Sequence, residues 1–236
     1  MGGSATHPNR PVVVSVGGSV LFTGEGDSDY IEALAELLAR LGRSTTLVVT
    51  TGGGRTARDY IRLGRTLGLT EFELDEIGID VTRLHARLLA GRIGHPTPST
   101  PPATVREAVE AVRNVSPVVL GGTEPGHTTD GVAALVAVRL RAERLVNATN
   151  VKGVYDTDPR ANRGARRIDR LTWPQFREMV QSATTGEAGQ TFVFDRLGAD
   201  ALARAEIPLS VVAGRDLPNL EAAILGRPFE GSRIGP

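Results

Sequence analysis

Glycine, threonine and aspartate cluster in residues 121–130, which read Gly-Gly-Thr-Glu-Pro-Gly-His-Thr-Thr-Asp. This stretch lies between an apolar run at 116–120 and a run with helical apolar spacing at 132–140, so it predicts a strand, a loop and a helix in that order. The first N–H groups of such a helix have no partner within the helix and carry the positive end of its dipole. They therefore favour an anion, and we expect phosphate at this loop.

Two more glycine loops follow apolar runs in the same way. Residues 47–58 read Leu-Val-Val-Thr-Thr-Gly-Gly-Gly-Arg-Thr-Ala-Arg, and residues 12–19 read Val-Val-Val-Ser-Val-Gly-Gly-Ser. The three strands would lie side by side in one parallel sheet, and their loops would meet at its carboxyl edge, where ligands bind in such sheets. Two phosphate-bearing substrates at one sheet edge indicate phosphoryl transfer.

The composition argues against several other classes of protein. The chain has 236 residues, 40% of them hydrophobic and 23% charged, with no net charge, which suits an α/β domain with a buried core rather than a basic nucleic-acid-binding surface. Cysteine is absent, so thiolate catalysis and disulfides are excluded, and the four histidines lack the spacing of a helical zinc site. No apolar run approaches the roughly 18 residues that span a bilayer. We expect a cytoplasmic protein without nucleic-acid or membrane partners and without a metal site made by the protein alone.

Helical and strand patterns alternate along the chain, which predicts an α/β fold with a largely parallel sheet and helices on both faces. We expect residues 1–10 to be a disordered or tag-like segment and residues 11–236 to form one domain. Residues 157–170, rich in Arg, Asp and Gly, predict a surface loop. Helices are predicted at 28–41, 55–68, 74–91, 104–113, 129–141, 172–182, 195–205 and 217–225, and strands at 12–16, 46–50, 116–120, 144–149 and 208–213.

Lysine is almost absent from the chain. Of the 27 basic residues 26 are arginine, and Lys152 is the single lysine. This excludes the P-loop signature, whose lysine directly follows its glycines. Lys152 lies just after the predicted strand 144–149, so either drift towards arginine codons left it by chance or it has a role in ligand binding.

Five motifs, in this order, resemble those of the amino acid kinase family. They are Val-Gly-Gly-Ser-Val at 16–20, Gly-Gly-Gly-Arg-Thr-Ala-Arg at 52–58, Asp-Glu-Ile-Gly-Ile-Asp-Val-Thr-Arg at 75–83, the loop at 121–130, and Thr-Asn-Val-Lys-Gly-Val-Tyr-x-x-Asp-Pro at 149–159. Within that family the chain resembles the archaeal type of uridylate (UMP) kinase over essentially residues 11–235. The resemblance implies a three-layer αβα sandwich and Mg²⁺-dependent transfer of the ATP γ-phosphate to UMP in pyrimidine nucleotide biosynthesis. It also implies a homo-oligomer, a hexamer.

The resemblance further implies a role for each matching residue. Catalytic roles fall to Asp130, which organises the transfer centre, to Gly18 and to Lys152. UMP binding is implied for Gly52, Gly53, Arg58, Asp75, Thr123, Thr128 and Thr129, with Asp75 on the ribose hydroxyls. ATP binding is implied for Gly17, Gly18, Ser19, Gly54, Thr149, Asn150, Gly153, Tyr155 and Asp158.

Two positions depart from the family pattern. Ser15 stands where many members carry a lysine, and Lys152 stands where the last motif usually has aspartate. We therefore hypothesise that Lys152 reaches the ATP phosphates and partly replaces the missing lysine. The acceptor phosphate is already ionised at neutral pH, so the reaction needs alignment and charge neutralisation rather than a general base.

Other interpretations of these residues stay open at this stage. Asp130 and Asp75 would also suit the first turns of their helices, and Gly52–Gly54 would also suit a strand–helix turn without a ligand. Trp173 and Phe176, three residues apart, predict core or interface packing. Another superfamily member such as an isopentenyl phosphate kinase, or a non-catalytic nucleotide-binding protein of the same fold, is the alternative function.

Overall fold

Valine-rich runs form the central sheet in a computed structural model, which describes residues 10–24, 26–185 and 194–235. The strands of that sheet are β1 Val12–Val16, β2 Leu47–Thr51, β3 Val118–Leu120, β4 Arg144–Thr149, β7 Arg170–Thr172, β8 Leu209–Ala213 and β9 Ser232–Gly235, while β5 Val154–Tyr155 and β6 Arg167–Ile168 form an antiparallel pair of their own. Within these ranges the sheet order is β3-β2-β1-β4-β8-β9-β7. Only β8 and β9 pair antiparallel in it, so the predicted, largely parallel sheet is confirmed.

Helices cover both faces of this sheet. Their bounds are α1 Gly18–Leu21, α2 Asp27–Gly42, α3 Gly54–Thr66, α4 Glu71–Ile93, α5 Val105–Ala111, α6 Thr129–Leu140, α7 Trp173–Thr185, α8 Arg196–Ala205 and α9 Leu217–Ile224. Val12 and Val14 of β1 pack in a core with α2, α4 and α9, whereas Val13 packs in a second core with α5, α6, α7 and α8. This alternation is the period of two expected of a strand that is buried on both faces. The three-layer αβα sandwich is confirmed.

The helices that follow the glycine loops begin in different ways. Thr128 precedes α6, and its Oγ1 accepts a hydrogen bond of 3.0 Å from the N–H of Gly131. Gly53 precedes α3 and offers no side chain to cap it. The first N–H groups of α3 therefore face the carboxyl edge of the sheet without a side-chain acceptor.

Several short elements were not predicted from sequence. They are α1, β5, β6, β7 and β9, each of only two to four residues, which is too short to show a periodicity. Because β6 falls inside residues 157–170, the predicted loop is shorter than expected. Of the predicted N-terminal segment, residues 1–9 lie outside the described residues. Trp173 and Phe176 are buried in the core, at 7% and 0% exposure, and no described helix is long and apolar enough to cross a membrane.

Candidate functional site

The carboxyl ends of β1, β2 and β4 open into a cleft of about 950 Å³. It brings together most of the residues predicted to bind nucleotides, although they come from four separate segments of the chain, 17–19, 52–58, 128–130 and 149–158. Those that line the cleft are Gly17, Gly18, Ser19, Gly52, Gly53, Gly54, Arg58, Thr128, Thr129, Asp130, Thr149, Asn150, Tyr155 and Asp158.

Two glycine loops, residues 17–18 and 52–54, form what we call the floor of the cleft. A Cβ atom on Gly18 would lie 2.2 Å from the backbone nitrogen of Gly54 and 2.5 Å from the carbonyl oxygen of Gly52. No side chain fits there, so the loops touch backbone to backbone. Phosphates bound by the two loops would therefore be close neighbours, as group transfer between them requires.

Arg58 of α3 is a basic side chain that lines the same cleft as the floor. Its neighbours Arg55 and Arg62 both pair with Asp59, at 3.4 Å and 3.1 Å. Arg58 lines the cleft and forms no ion pair within the described residues. The start of α3 thus presents uncapped N–H groups and a free guanidinium, two features that bind phosphate.

Asp130 lies in the first turn of α6 and faces the cleft. The Ser15 hydroxyl donates a hydrogen bond of 2.7 Å to its Oδ1. Burial raises the pKa of Asp130 to about 7, against the lowering effect of the Ser15 bond and together with the negative charge of Asp195. No lysine or arginine of the described residues pairs with Asp130, so no opposite charge compensates its carboxylate when it is ionised.

Asp195 was not among the predicted site residues, although it contacts the same region. Thr128 Oγ1 donates a hydrogen bond to its carboxylate, and the N–H of Gly198 donates to Asp195 Oδ1 at 2.7 Å. Asp195 therefore caps α8 and anchors the threonine that caps α6. The first-turn spacing Asp-x-x-Gly is a capping signal, but the contact with Thr128 depends on the tertiary fold.

Polar side chains also occupy the strands beneath Asp130. Ser15 pairs in register with Thr50 on one side and Asn147 on the other, and all three are buried, at 1%, 0% and 2% exposure. Asn147 lines the cleft. Sequence reasoning missed Thr50 and Asn147, yet a polar residue within an apolar strand was the available signal.

Asp75 and Thr123 do not line the cleft. Thr123 belongs to the loop of residues 121–126, which we call the third glycine loop, and Asp75 contacts that loop. The N–H of Gly126 donates a hydrogen bond of 2.9 Å to Asp75 Oδ2. The Thr123 hydroxyl is buried and has no hydrogen-bond partner within the described residues. Asp75 keeps its second carboxylate oxygen for another donor.

One turn of α4 holds the third glycine loop in place. Arg83 donates hydrogen bonds to the carbonyl oxygens of Gly122 and Thr123, at 3.1 Å and 3.0 Å. The N–H of Gly122 donates to Thr82 Oγ1 at 2.6 Å. Residues 121–126 are therefore positioned by side chains of α4 rather than by the glycines alone.

Residues 150–160 form what we call the rim of the cleft, on the predicted ATP side. Asp158 pairs with Arg160, which also lines the cleft and was missed from sequence. Hydrogen bonds from Arg160 hold the pKa of Asp158 below its usual value. Gly153 does not line the cleft; a Cβ there would lie 2.6 Å from Ser232 Oγ, so it allows the rim to pack against β9.

Lys152 is not brought into the cleft. Its Nζ lies 3.6 Å from Glu230 Oε1, and its side chain is 64% exposed. Glu230 also pairs with Arg167, at 2.7 Å. The hypothesis that Lys152 reaches the ATP phosphates is therefore not supported by its position, because it is drawn to an acidic residue distant in sequence.

A protein-only metal site is not evident in the part of the chain that the structure describes. No group of three or more His, Asp or Glu side chains there is arranged to hold an ion. The carboxylates that line the cleft are those of Asp130, Asp156, Asp158 and Glu178. Such a site suits a hard cation that arrives with a phosphate ligand and keeps most of its water.

Comparison with known proteins gives a consistent result. The model of the amino acid kinase family matches residues 10–213. The uridylate kinase of Thermoplasma volcanium is 42% identical over 220 residues, which cover 93% of this chain and 95% of that protein, and that of Thermococcus onnurineus is 39% identical over 227 residues, covering 95% and 99%. The crystal structure of uridylate kinase from Archaeoglobus fulgidus matches with a TM-score of 0.85 at 38% identity, covering 95% of this chain and 100% of that one. The residues 10–213 that match the family model include the residues that build the cleft.

Proposed function

Because the chain belongs to the amino acid kinase family, we propose that it transfers the γ-phosphate of ATP to UMP and releases UDP and ADP. The relatives that match over nearly their whole length are uridylate kinases, which supports UMP as the acceptor. One observation carries the proposal: the two glycine loops of the floor meet backbone to backbone, with Asp130 beside them in the same cleft. That arrangement suits the passage of a phosphoryl group between two bound nucleotides.

The acceptor side is formed by α3 and the third glycine loop. The UMP phosphate would bind the first N–H groups of α3 and the free guanidinium of Arg58, which suits two phosphate oxygens at once. Asp75 would accept from the ribose hydroxyls with the oxygen that Gly126 leaves free. Thr123, Thr128 and Thr129 would add hydroxyl contacts along the same loop.

The donor side is formed by residues 17–19 and the rim. The ATP phosphates would lie against Gly17, Gly18, Ser19 and Gly54, and the nucleoside against Thr149, Asn150, Tyr155 and Asp158. Asp130 is the carboxylate that would hold Mg²⁺ entering with ATP, whose charge would balance that of the phosphates. The chain itself needs no general base, since the acceptor oxygen is already ionised.

A coupled ADP-release assay tests this function. With Mg²⁺ and ATP, we expect turnover with UMP that exceeds turnover with CMP, isopentenyl phosphate, glutamate and aspartate. Arg58→Gln tests the acceptor site, because Arg58 lines the cleft. Arg55→Gln is its matched control, because Arg55 does not line the cleft and pairs with Asp59. Arg58→Gln should raise the KM for UMP roughly tenfold or more, as loss of a charged hydrogen bond does, and Arg55→Gln should not. Preference for isopentenyl phosphate, or nucleotide binding without turnover, would contradict the proposal in favour of the respective alternative.

We also propose that the chain forms a homo-oligomer, and the hexamer remains a prediction. Tyr60, Leu63 and Leu67, spaced along one face of α3 and its end, are 56%, 56% and 71% exposed. Apolar stripes of this kind commonly mark contacts between subunits. Leu63→Asp should reduce the mass measured by light scattering, whereas Leu197→Asp, at a similarly exposed leucine of α8, should not. An unchanged mass for Leu63→Asp would contradict an interface at this face.

A further inference from the structure

His85 is a buried imidazole that the proposed reaction does not use. Its side chain lies in α4, behind the floor of the cleft, and only 3% of it is exposed. Its Nδ1 lies 2.8 Å from the carbonyl oxygen of Gly52. A carbonyl oxygen only accepts, so Nδ1 must carry the hydrogen. Burial lowers the pKa of His85 below its usual value, against the raising effect of the Gly52 bond, so the ring is neutral at pH 7.

The peptide between Gly52 and Gly53 is one that needs an external restraint. It is flanked by two glycines, so no Cβ atom limits its rotation, and a flip would exchange the directions of its carbonyl and N–H. In a trans peptide these two groups point in opposite directions. With the Gly52 carbonyl held towards His85, the N–H of Gly53 points away from the His85 ring, and Gly53 itself lines the cleft.

That N–H is available to a ligand. Within the described residues no protein group accepts a hydrogen bond from Gly53, and no side chain caps α3. The anion-binding capacity of this helix start thus depends on the orientation of a peptide that packs against Gly18 and that, within the described residues, His85 holds from behind by a hydrogen bond. The contact is from a side chain to the backbone of a segment 33 positions away in the chain.

The same ring also touches the other glycine loop. Phe22, the residue that ends α1, packs on His85 with ring centroids 4.0 Å apart. The helix α1 begins at Gly18, whose backbone fits against Gly54 without room for a side chain. His85 therefore supports both loops of the floor, one through a hydrogen bond and one through an aromatic contact.

We propose that His85 is a positioning residue for phosphoryl transfer, whose Nδ1–H holds the Gly52–Gly53 peptide so that the Gly53 N–H faces the acceptor phosphate. This inference rests on the proposed function and deepens it. The imidazole touches no substrate and exchanges no proton. It acts in the way that groups behind an active site orient those that line it.

Two substitutions separate the hydrogen bond from the packing. His85→Asn keeps a donor at the position of Nδ1 and removes the ring, whereas His85→Phe keeps a ring against Phe22 and removes the donor. The measurements are kcat, the KM for UMP and for ATP, the calorimetric Kd for UMP, and the midpoint of thermal unfolding. If His85→Phe does not fold, His85→Met, which also lacks an N–H donor and adapts its shape, takes its place.

We expect His85→Phe to weaken UMP binding at least tenfold and to lower kcat/KM for UMP by about 100-fold, the order of the loss when one preorganised hydrogen-bond donor is removed from an active site. The KM for ATP should change little, and His85→Asn should recover most of the affinity for UMP. Two results would overturn the inference: unchanged UMP parameters in His85→Phe with only a lower unfolding midpoint, or equal defects in both variants.

The binding measurement separates this inference from the proposed function. If the wild-type protein binds UMP but transfers no phosphate to it, the proposed function fails. The Kd values of the wild type and the two variants would still decide the role of His85. If transfer occurs and His85→Phe binds UMP as the wild type does, the inference fails and the proposed function stands.

Discussion

The floor and the rim line the same cleft but present different groups to it. The floor, residues 17–18 and 52–54, presents backbone atoms, and its glycines approach so closely that a Cβ would overlap main-chain atoms. The rim, residues 150–160, presents exposed polar side chains held by local ion pairs such as that of Arg160 with Asp158. Buried backbone contacts leave no room for adjustment, whereas exposed ion pairs contribute little free energy each. Substitutions should therefore act sharply at the floor and gradually at the rim.

The comparison predicts its largest effect at Gly18. In Gly18→Ala the new Cβ would overlap Gly54 N and Gly52 O, so the two loops must move apart. A displacement of this size between reacting groups costs about 100-fold in rate or more. The matched control is Gly91→Ala in α4, where nothing lies within 4 Å of the added atom, and it should leave the rate unchanged. Steady-state rates with circular dichroism to verify folding would measure this; an active Gly18→Ala would contradict the described floor.

Asp130 should give the next largest effect, and its sign should differ between activity and stability. Asp130→Asn removes the negative charge beside the floor, and we expect kcat to fall about 100-fold. The pKa of Asp130 is raised to about 7 in the folded state, from the ordinary value of 3.8, so the folded protein binds this proton more tightly than the unfolded chain. Its ionisation therefore lowers the free energy of unfolding as pH rises from about 4 to 7.

The stability part of this prediction is measured by thermal unfolding at pH 5 and pH 8. Asn cannot ionise, so Asp130→Asn should exceed the wild type in unfolding midpoint, and by more at pH 8 than at pH 5. Asp80→Asn, at an exposed position of α4, controls for the loss of one negative charge. An advantage that shrinks as pH rises would show that Asp130 is not the group described.

Ser15 should have a smaller effect that appears mainly in the pH dependence. Its hydrogen bond favours the ionised form of Asp130, so Ser15→Ala should raise the pKa of Asp130 further. The wild-type kcat/KM for ATP, which reports groups of the enzyme before ATP binds, should fall as pH drops below about 7. In Ser15→Ala this fall should begin at higher pH, with roughly tenfold lower kcat/KM at pH 7. Thr50→Val is the matched control, because Thr50 is the register partner of Ser15 on β2. The Thr50 hydroxyl has no hydrogen-bond partner within the described residues. Identical acid limbs in the wild type and Ser15→Ala would refute the coupling.

The floor was predictable from sequence to a degree that the rim was not. Glycine runs after apolar strands mark the carboxyl ends of parallel strands, and β1, β2 and β3 do lie side by side, so their loops converge. The rim depends on β5 and β6, two residues each, and on the contact of Lys152 with Glu230, 78 positions later. Such contacts follow from tertiary packing and leave no local pattern.

The groups behind the floor were also hidden in the sequence. His85 lies on the buried face of α4. The helical spacing that marks a buried position is the same for His85 as for an apolar residue, so it does not reveal a positioning role. Its partner is a backbone carbonyl, and backbone atoms have no sequence signature. Ser15 was visible as a departure from the lysine of many relatives, but its bond to Asp130 spans 115 positions and required the fold.

The smallest effects should occur at the rim, where two basic side chains are similarly exposed but point in different directions. Arg160 lines the cleft with its side chain 53% exposed, and Lys152, at 64%, turns towards Glu230. We expect Arg160→Ala to raise the KM for ATP by less than about fivefold and Lys152→Ala to leave kcat and the KM for ATP within about twofold of the wild type, the range of exposed ion pairs. Initial rates over an ATP titration would measure both. A large loss of turnover in Lys152→Ala alone would mean that the lysine leaves Glu230 for the phosphates when ATP binds, and the rim would then share the sensitivity of the floor.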